Sequence, residues 1–365
     1  MTIKELTSYL ENLAPPFYQE SYDNSGLLTG SMNTDITAAL ISLDCTESVI
    51  EEAIRRNCNL VIAHHPIIFK GLKSLTGKNY IERTIIKAIK NDIAIYAIHT
   101  NLDNVTGGVN FKIASLLDLQ KTRILAPKSQ VIQKLTVFTP LSNSGVLLDA
   151  LYAAGAGAIG NYDRCSFRSE GKGTFRANEH ANPTIGSSGI YEEIEECKIE
   201  VIFPSYLKTQ VLAGMRKGHV YEEIAYHLST LENVDTTVGS GAIGELREAM
   251  PVQDFLQYLK EKMSLKLIKH TAITTSEIKT VALCGGSGGF LLPQAIGSNA
   301  DIFITADYKY HEYFDADNKI IIADIGHYES EQYTKELLRD EILKKFTNFA
   351  SYLSEVNTNP VNYYF

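Results

Sequence analysis

The sequence predicts an α/β protein, in which a discontinuous three-layer α/β domain is interrupted by an inserted α+β domain. Apolar segments alternate with amphipathic segments in the first third of the chain and again in the last third. This alternation is typical of parallel strands that are buried between two layers of helices. The middle third has a different order, and a chain of 365 residues suits two or three domains.

Both outer thirds supply strands and helices in turn. Near the N-terminus, Ile3, Leu6, Leu10 and Leu13 recur at helical spacing. The next predicted elements, alternately strand and helix in the first third, are 37–44, 46–57 (with Thr46 as N-cap), 59–65, 80–92, 93–100 and 109–119. Those of the last third are the strands 279–286, 300–307 and 319–326 and the helix 327–346.

The middle third is predicted to be a ferredoxin-like domain. The predicted strands are 134–140, 198–204 and 222–233, and the predicted helices are 144–157 and 205–218. The polar segment 161–189 is predicted to be an ordered hairpin or loop, and the order follows the β-α-β-β-α-β pattern. We place the insert at 126–245 and the discontinuous domain at 1–125 and 246–365.

Composition and charge limit the classes of function. The chain has 34 Lys and Arg against 43 Asp and Glu, a net charge of −9 and a pI near 5.6. Nucleic-acid binding needs a basic face, so this balance argues against it and favours cations as ligands. The five cysteines form no C-x-x-C pair, which fits a reducing cytosol. No signal peptide or membrane-spanning segment is recognisable, and we expect a cytoplasmic protein with no membrane contact.

The first candidate site is the pair His64 and His65, at the end of the predicted strand 59–65. Adjacent residues in a strand point to opposite faces, so both imidazoles reach one site only if the strand has ended there. Pro66 favours such an end, because proline cannot donate a ladder hydrogen bond. The alternative is a loop pair with ordinary hydrogen bonds.

The second candidate is Asp103, in a turn-prone segment after the strand 93–100. On its own it would more often be a turn residue or a helix cap. Its position matters because this strand and the previous one end at the same edge of the predicted sheet. His99 lies at the same strand end and is either a proton carrier or a buried, hydrogen-bonded histidine.

The third candidate is the pair His327 and Glu331 on a helix that directly follows an apolar strand. The i, i+4 spacing places both side chains on one helix face, where two ligands can reach one cation. The alternative is a surface pair worth tenths of a kcal/mol. Glu329 should point away from this face.

Together these strand ends of one parallel sheet present five imidazole and carboxylate groups and no thiolate. Five such ligands exceed what one catalytic zinc needs and suit two divalent cations bridged by a carboxylate. The predicted ligands are His64, His65, Asp103, His327 and Glu331. Zinc is the first expectation, and the ligand set also admits manganese, iron or cobalt.

Two further segments lie at predicted strand ends of the last third. The glycine-rich turn 285–289 suits either a phosphate-binding turn or a plain tight turn. Asp307, Lys309 and His311 follow the strand 300–307, where they would line the metal cleft as substrate-binding or supporting residues, or else lie in a solvated loop.

The motifs resemble the dinuclear-metal-centre family that is named after a yeast NGG-interacting factor. Its bacterial members are called GTP cyclohydrolase type 2 homologues. The resemblance extends over nearly the whole chain. The segments that carry it are DNSGLLTG (23–30), HHP (64–66), HTNLDNVTGGVN (99–110), GAGAIGNYDRCSF (155–167), GSGAIGEL (239–246) and ADIGHYESEQY (323–333).

The resemblance implies a toroidal homohexamer with two metal ions per chain in an internal cavity. It carries the ligand role to the same five residues and implies that the insert is of the PII/CutA type. Family members often show H-P-Y-E-E-P-A-Y-D in that insert, whereas this chain has HVYEEIAYH at 219–227. Both prolines and the final Asp are replaced, so no role of that loop is carried over.

Two functions follow as hypotheses. The first is a metal-dependent hydrolase that acts on a nucleotide or a similar phosphorylated or heterocyclic small molecule, as the family label of a GTP cyclohydrolase suggests; a phosphoesterase or amidohydrolase would use the same centre. The second is a non-catalytic metal-binding or regulatory assembly whose insert senses a small ligand.

Overall fold

The structure is a computed structural model and describes residues 1–364. Within them the α-helices follow the amphipathic pattern of the sequence and are α1 (Ile3–Leu13), α2 (Glu47–Arg55), α3 (Tyr80–Lys90), α4 (Thr100–Asp103), α5 (Val109–Leu116), α6 (Ser144–Ala153), α7 (Lys208–Gly218), α8 (Val252–Lys262), α9 (Leu292–Gly297), α10 (His327–Glu331) and α11 (Thr334–Lys345). Side chains cap several of them: Thr46 accepts from Val49 N at the start of α2, as predicted. No helix within residues 1–364 is long and apolar enough to cross a membrane.

The strands vary from fully buried short segments to a strand of 18 residues. They are β1 (Gly26–Thr29), β2 (Ala39–Ser42), β3 (Leu60–Ala63), β4 (Ala94–Ala97), β5 (Gln120–Ser129), β6 (Ile132–Pro140), β7 (Phe167–Arg176), β8 (Tyr191–Pro204), β9 (Tyr226–Leu231), β10 (Val234–Pro251), β11 (Lys269–His270), β12 (Glu277–Ser287), β13 (Ile302–Ala306), β14 (Ile321–Asp324) and β15 (Ser351–Leu353). The chain divides into two compact units, Met1–Pro127 with Thr236–Phe365 and Lys128–Asp235.

The first sheet of the larger unit has the strand order β1-β4-β3-β2-β15. β2, β3 and β4 are parallel and wholly buried, because they lie between layers of side chains from α2 and α3 and from the rest of the unit. β15 adds in parallel to β2, and β1 adds antiparallel to β4. The carboxyl ends of β3 and β4 therefore meet at one edge of this sheet.

The second sheet has the order β11-β14-β13-β12-β10-β5. β12, β13 and β14 are parallel, whereas β10 and β11 pair antiparallel on either side of them. A core of buried side chains from β12, β13, β14 and α9 packs on one face. The carboxyl end of β14 leads directly into α10.

The expectation of a single parallel sheet is wrong, because the two outer thirds build separate sheets. β1 and β15 occupy both edges of the first sheet, while β11 and β5 occupy the edges of the second. A strand edge that is already paired cannot accept another strand, so the parallel strands of the two thirds cannot join. The predicted strands include none of β1, β5, β10, β11 and β15.

The smaller unit has the element order β6-α6-β7-β8-α7-β9 and an antiparallel sheet in the order β7-β8-β6-β9. Leu135, Ile199 and Phe203 on the sheet and Leu147 and Val211 on the helices form its buried core. Part of the polar segment 161–189 is strand β7, which forms a long hairpin with β8.

The boundary of this unit differs from the predicted 126–245 at its C-terminal end. Residues Ala242–Glu245 of β10 pair with Thr280–Leu283 of β12, so they lie in the second sheet of the larger unit. The strand is continuous from Val234 to Pro251, and no turn in the sequence signals where it leaves one unit for the other.

Candidate metal centre

His64 and His65 follow β3, which ends at Ala63. His64 is fully buried, and its Nδ1 donates to the carbonyl oxygen of Ile98 over 2.8 Å. Nδ1 of His65 donates to Oδ1 of Asp44 over 2.8 Å. Because each Nδ1 is held by an oxygen, each Nε2 is left to face a ligand, which is the usual arrangement of metal-binding histidines. The ring centroids are 4.9 Å apart, so both imidazoles reach one region.

Asp103 ends the short helix α4, which follows β4 after two residues. Its Oδ1 lies 3.5 Å from Nε2 of His64. Asn110 donates to the backbone carbonyl of Asp103 and so ties this turn to the start of α5. The two neighbouring strands β3 and β4 thus bring an imidazole and a carboxylate together at their carboxyl ends.

His327 and Glu331 are the first and last residues of α10, which begins after Gly326 at a φ of +92°. Nε2 of His327 lies 3.1 Å from Oε2 of Glu331, as i, i+4 spacing allows. Nδ1 of His327 donates to Oδ2 of Asp307 over 2.6 Å. The predicted single helix 327–346 is interrupted between Glu331 and Thr334.

The carboxylate of Glu331 lies between two groups of side chains. Its Oε2 is 3.0 Å from Nε2 of His65, and its Oε1 is 4.0 Å from Nε2 of His64. Two groups that include Glu331 could hold a metal ion: His65 with His327 and Glu331, and His64 with Asp103 and Glu331. Tetrahedral zinc with bonds near 2.0 Å separates its ligand atoms by about 3.3 Å, so the spacing within each group is of the right size.

The glycine-rich turn 285–289 makes room for Glu331. A Cβ on Gly286 would lie 2.5 Å from Oε1 of Glu331, and the φ of Gly286 is +61°. Backbone N–H groups of the turn donate to side chains: Gly285 to Asn110, Gly286 to Ser330 and Gly288 to Thr305. Of the two interpretations left open by the sequence, this hydrogen bonding favours the plain tight turn.

The protonation of the three histidines differs with their partners. Burial lowers the pKa of His64 to about 3, so it is neutral. Burial also disfavours the charged form of His65, but hydrogen bonds to Asp44 and Glu331 outweigh it and raise its pKa to about 10. In the same way Glu331 and Asp307 raise the pKa of His327 to about 9.

The two carboxylates of the centre shift in opposite directions. Burial and then the nearby charge of Glu331 raise the pKa of Asp103. Burial opposes ionisation of Glu331 too, but hydrogen bonds from His327 and His65 hold its pKa well below the usual range. A cluster of buried acids and bases with such opposed shifts is typical of functional sites.

Two buried atoms of this cluster have no hydrogen-bond partner among residues 1–364: Nε2 of His64 and Oδ1 of Asp103. A buried polar atom without a partner costs on the order of 1–3 kcal/mol. Both atoms belong to the candidate metal group of His64, Asp103 and Glu331. Imidazole nitrogen and carboxylate oxygen are good ligands for zinc and similar cations. The residues present therefore fit a divalent metal ion.

His99 lies beside the centre. Its Nδ1 donates to Oδ1 of Asp23 over 2.8 Å, and its ring centroid is 5.2 Å from those of both His64 and His65. These three histidines form a third group that could hold a metal ion. His99 therefore stands next to the predicted ligands, with one nitrogen fixed by a carboxylate.

The three predicted residues that follow β13, namely Asp307, Lys309 and His311, lie in different environments. Asp307 lines the cavity beside the centre and holds His327. Lys309 and His311 are exposed and do not line that cavity, so of the two interpretations left open for them the solvated loop is favoured. Lys309 pairs with Glu312, and the ring of His311 stacks on Phe314. The short 3₁₀ helix Tyr310–Ala316 turns them away from the centre.

Three supporting residues were missed by the sequence analysis. Asp44 holds His65, Asp23 holds His99, and the hydroxyl of Thr358 donates to Asp44. Asp44 ends the predicted strand 37–44, so the same strand-end reasoning that found His64 could have found it. Asp23 and Thr358 lie in loops, and nothing in their local sequence signals the contact.

A cavity of about 850 Å³ opens over the centre, within the larger unit. His65, His99, Asp103, His327 and Glu331 lie in its wall. Residues 359–361 and 363 of the C-terminal tail form part of the wall as well. This volume is in the range of small-molecule sites.

These features define an α/β protein with a histidine- and carboxylate-rich centre that could hold metal ions. The model of the family Duf34/NIF3 (NGG1p interacting factor 3) matches residues 1–360, and the chain belongs to this family. Among its relatives is a GTP cyclohydrolase 1 type 2 homolog of Halalkalibacterium halodurans, 39% identical over 358 residues, which are 97% of this chain and 96% of the relative.

Other relatives support the same assignment over the full length. A GTP cyclohydrolase 1 type 2 homolog of Bacillus subtilis is 34% identical over 370 residues, 99% of this chain and 98% of the relative. The crystal structure of a Bacillus cereus protein related to NIF3 matches with a TM-score of 0.85 and 36% identity, over 100% of this chain and 99% of that one.

Proposed function

We propose that the centre binds two divalent metal ions and that Glu331 would serve as a ligand in both groups. One ion would be held by His65, His327 and Glu331, and the other by His64, Asp103 and Glu331. The observation that carries this proposal is the position of Glu331, whose two oxygens face different histidines. Zinc is the first expectation for both ions, and manganese, iron or cobalt suit the same ligand types.

We further propose that the protein is a metal-dependent hydrolase. Paired divalent cations lower the pKa of a bound water and polarise a carbonyl, ring carbon or phosphoryl group. The chain supplies the rest: Asp44 and Asp307 orient His65 and His327, and His99, fixed by Asp23, stands beside the cavity as a proton carrier. The relatives' name suggests a nucleotide or a related heterocycle as substrate.

Elemental analysis tests the metal centre. About two zinc ions per chain are expected in the wild type, and fewer in His64→Ala and in His327→Ala. Each of these variants removes a ligand from one group only, so a loss of about one ion in each is the sharpest expected result. Full occupancy in both variants would show that these side chains are not ligands.

Turnover tests the hydrolase. The metal-loaded protein is assayed with GTP, guanosine, cyclic nucleotides and phosphoesters, and Glu331→Gln serves as the matched variant because it keeps the size of the side chain and removes the charge. Hydrolysis that is lost in Glu331→Gln is the expected result. No turnover by the loaded wild type, or equal turnover by the variant, would refute the catalytic role.

A second candidate function is a metal-binding or regulatory assembly without catalysis. The insert favours it, since Lys128–Asp235 has its own buried core and the strand order β7-β8-β6-β9 of a ferredoxin-like sheet. We propose that this unit is of the PII/CutA type and senses a small ligand, and that the protein is cytoplasmic and forms a homohexamer. A monomeric mass by light scattering would overturn the hexamer.

A further inference from the structure

Aromatic rings line the cavity above the metal centre. Tyr22, Phe69 and Phe290 are all in its wall, with 68%, 48% and 66% of each residue exposed. The ring of Phe69 stands at 85° to that of His99, with centroids 5.7 Å apart, so one aromatic side chain lies directly beside the histidines. Exposed aromatic side chains in a concave site provide faces on which a planar heterocycle can stack.

The charged groups of the cavity are mostly acidic. Seven Asp or Glu residues line it, and among the described residues Lys269 is the only Lys or Arg that does. With two divalent cations and the ammonium of Lys269, these seven carboxylates would give the cavity a net charge of about −2. A triphosphate would bring roughly four more, so it would be repelled unless the protein supplied further cations.

The groups that could bind such phosphates are already engaged. Nζ of Lys269 lies 2.6 Å from Oδ2 of Asp324, a buried carboxylate. In the glycine-rich turn, the N–H groups of Gly285, Gly286 and Gly288 donate to side chains of the protein. Lys269 and the glycine-rich turn therefore provide neither a free cation nor a nest of free backbone N–H groups for a chain of phosphates.

We infer that this cavity selects an uncharged planar heterocycle, such as a nucleobase or nucleoside, over the corresponding triphosphate. The inference rests on the proposed metal-dependent function and narrows its substrate class. In this inference the heterocycle stacks on the exposed rings of Tyr22 and Phe290 in the cavity wall, and its reacting atom points to the histidines and Glu331. Each further phosphate would add negative charge to a cavity that is already lined by seven carboxylates.

Equilibrium binding to the zinc-loaded protein tests the order of affinity. The probes are guanosine, GMP and GTP, measured by calorimetry, with zinc content checked afterwards because triphosphates chelate metals. Affinity is expected to fall along that series by about tenfold or more from guanosine to GTP. Equal or tighter binding of GTP, or no binding of guanosine, would overturn the inference.

The salt dependence of binding is an independent test of the sign of the net charge in the cavity. Raising the salt from 0.05 to 0.5 M (roughly 14 to 4 Å in screening length) weakens both repulsion and attraction between charges. GTP binding should therefore strengthen with salt, while guanosine binding should stay nearly constant. GTP binding that weakens with salt would show a net positive site and contradict the inference.

Variants of the aromatic wall test the stacking. Tyr22→Ala and Phe290→Ala should each weaken guanosine binding about fivefold or more, whereas Tyr22→Phe and Phe290→Tyr keep a ring and should bind as the wild type does. Phe167→Ala is the matched control, because Phe167 is equally exposed at 66% and lies in the insert. Unchanged guanosine binding in both alanine variants would refute the stacking role.

Failure of this inference and failure of the proposed hydrolase can be told apart. Guanosine binding in the expected order without any turnover would refute the hydrolase and leave the specificity in place. Hydrolysis of GTP with GTP as the tighter ligand would refute the specificity and leave the hydrolase in place.

Discussion

The hydroxyl of Thr358 donates a hydrogen bond of 2.5 Å to Oδ2 of Asp44, whose other oxygen accepts a hydrogen bond from Nδ1 of His65. The C-terminal tail therefore reaches a predicted metal ligand through one intervening carboxylate. Asn359 and Tyr363 of the same tail donate to Glu329, on the helix that carries His327. Glu329 is thus held by the tail, and it belongs to none of the groups that could hold a metal ion.

Removal of the Thr358 hydroxyl should weaken the metal group that contains His65. Loss of a supporting hydrogen bond typically lowers metal affinity by about 10- to 100-fold when it contacts the ligand directly, and Thr358 acts one step further away. We expect up to about tenfold weaker zinc binding in Thr358→Val, measured by competition with a chromophoric chelator.

Two controls separate this effect from general damage. Thr358→Ser keeps the hydroxyl and should bind zinc as the wild type does. Asp44→Asn removes the charge that Thr358 supports and should weaken binding more than Thr358→Val. Identical affinities in the wild type and all three variants would mean that the tail has no influence on His65.

Zinc uptake near pH 7.5 should release protons. The pKa values of His65 and His327 are raised to about 10 and about 9, so both are protonated in the metal-free protein and must lose a proton to bind a metal ion. At least about two protons per chain should appear in calorimetry carried out in two buffers of different ionisation enthalpy, because Asp103, whose pKa is also raised, must be ionised to act as a ligand. In His327→Ala the ion of the group His65, His327 and Glu331 is expected to be lost, so the release from both His65 and His327 should be missing. No release in the wild type would contradict the protonation states.

The same shifts set opposite pH dependences for the metal-free and metal-bound forms. Because the folded pKa values lie above the ordinary value near 6.5, these ion pairs stabilise the metal-free protein fully below that pH and are lost as the pH rises through about 9 to 10. Zinc affinity should instead increase over this range. Chemical unfolding with and without zinc from pH 6.5 to 9.5 measures both trends, and parallel trends would be the contrary result.

A side chain at Gly286 should displace Glu331. The new Cβ would lie 2.5 Å from Oε1 of Glu331, and a left-handed φ of +61° costs an alanine roughly 1–2 kcal/mol. We expect Gly286→Ala to unfold at lower denaturant concentration and to bind less zinc per chain. Gly297→Ala is the control, since nothing lies within 4 Å of its Cβ and its stability should change by less than about 1 kcal/mol. Full zinc content in Gly286→Ala would contradict the steric role.

Metal removal should destabilise the larger unit. Nε2 of His64 and Oδ1 of Asp103 are buried without partners, and a metal ion would satisfy both. Zinc at about 100 times its dissociation constant stabilises a one-site protein by about 2.7 kcal/mol. Addition of EDTA should lower the melting temperature of the wild type and have less effect on Asp103→Asn. An unchanged melting temperature in the wild type would argue against bound metal.

The sequence by itself determined the elements that carry the centre. Buried strands read as apolar runs, so the ends of β3 and β4 could be located, and with them His64, His65 and Asp103. Helical spacing determined that His327 and Glu331 share one face of α10. These are local properties, because strand burial and helix periodicity are written in neighbouring residues.

Only the tertiary structure decided how these elements meet. Pairing of edge strands places β3 and β4 in one sheet and β14 in another, and the approach of α10 places Glu331 between His64 and His65. Contacts such as Thr358 with Asp44 join positions 314 residues apart. Hydrogen bonds of this kind depend on distance in space, which neither composition nor periodicity encodes, so the contacts of Asp23 with His99 and of Thr358 with Asp44 emerged only from the folded chain.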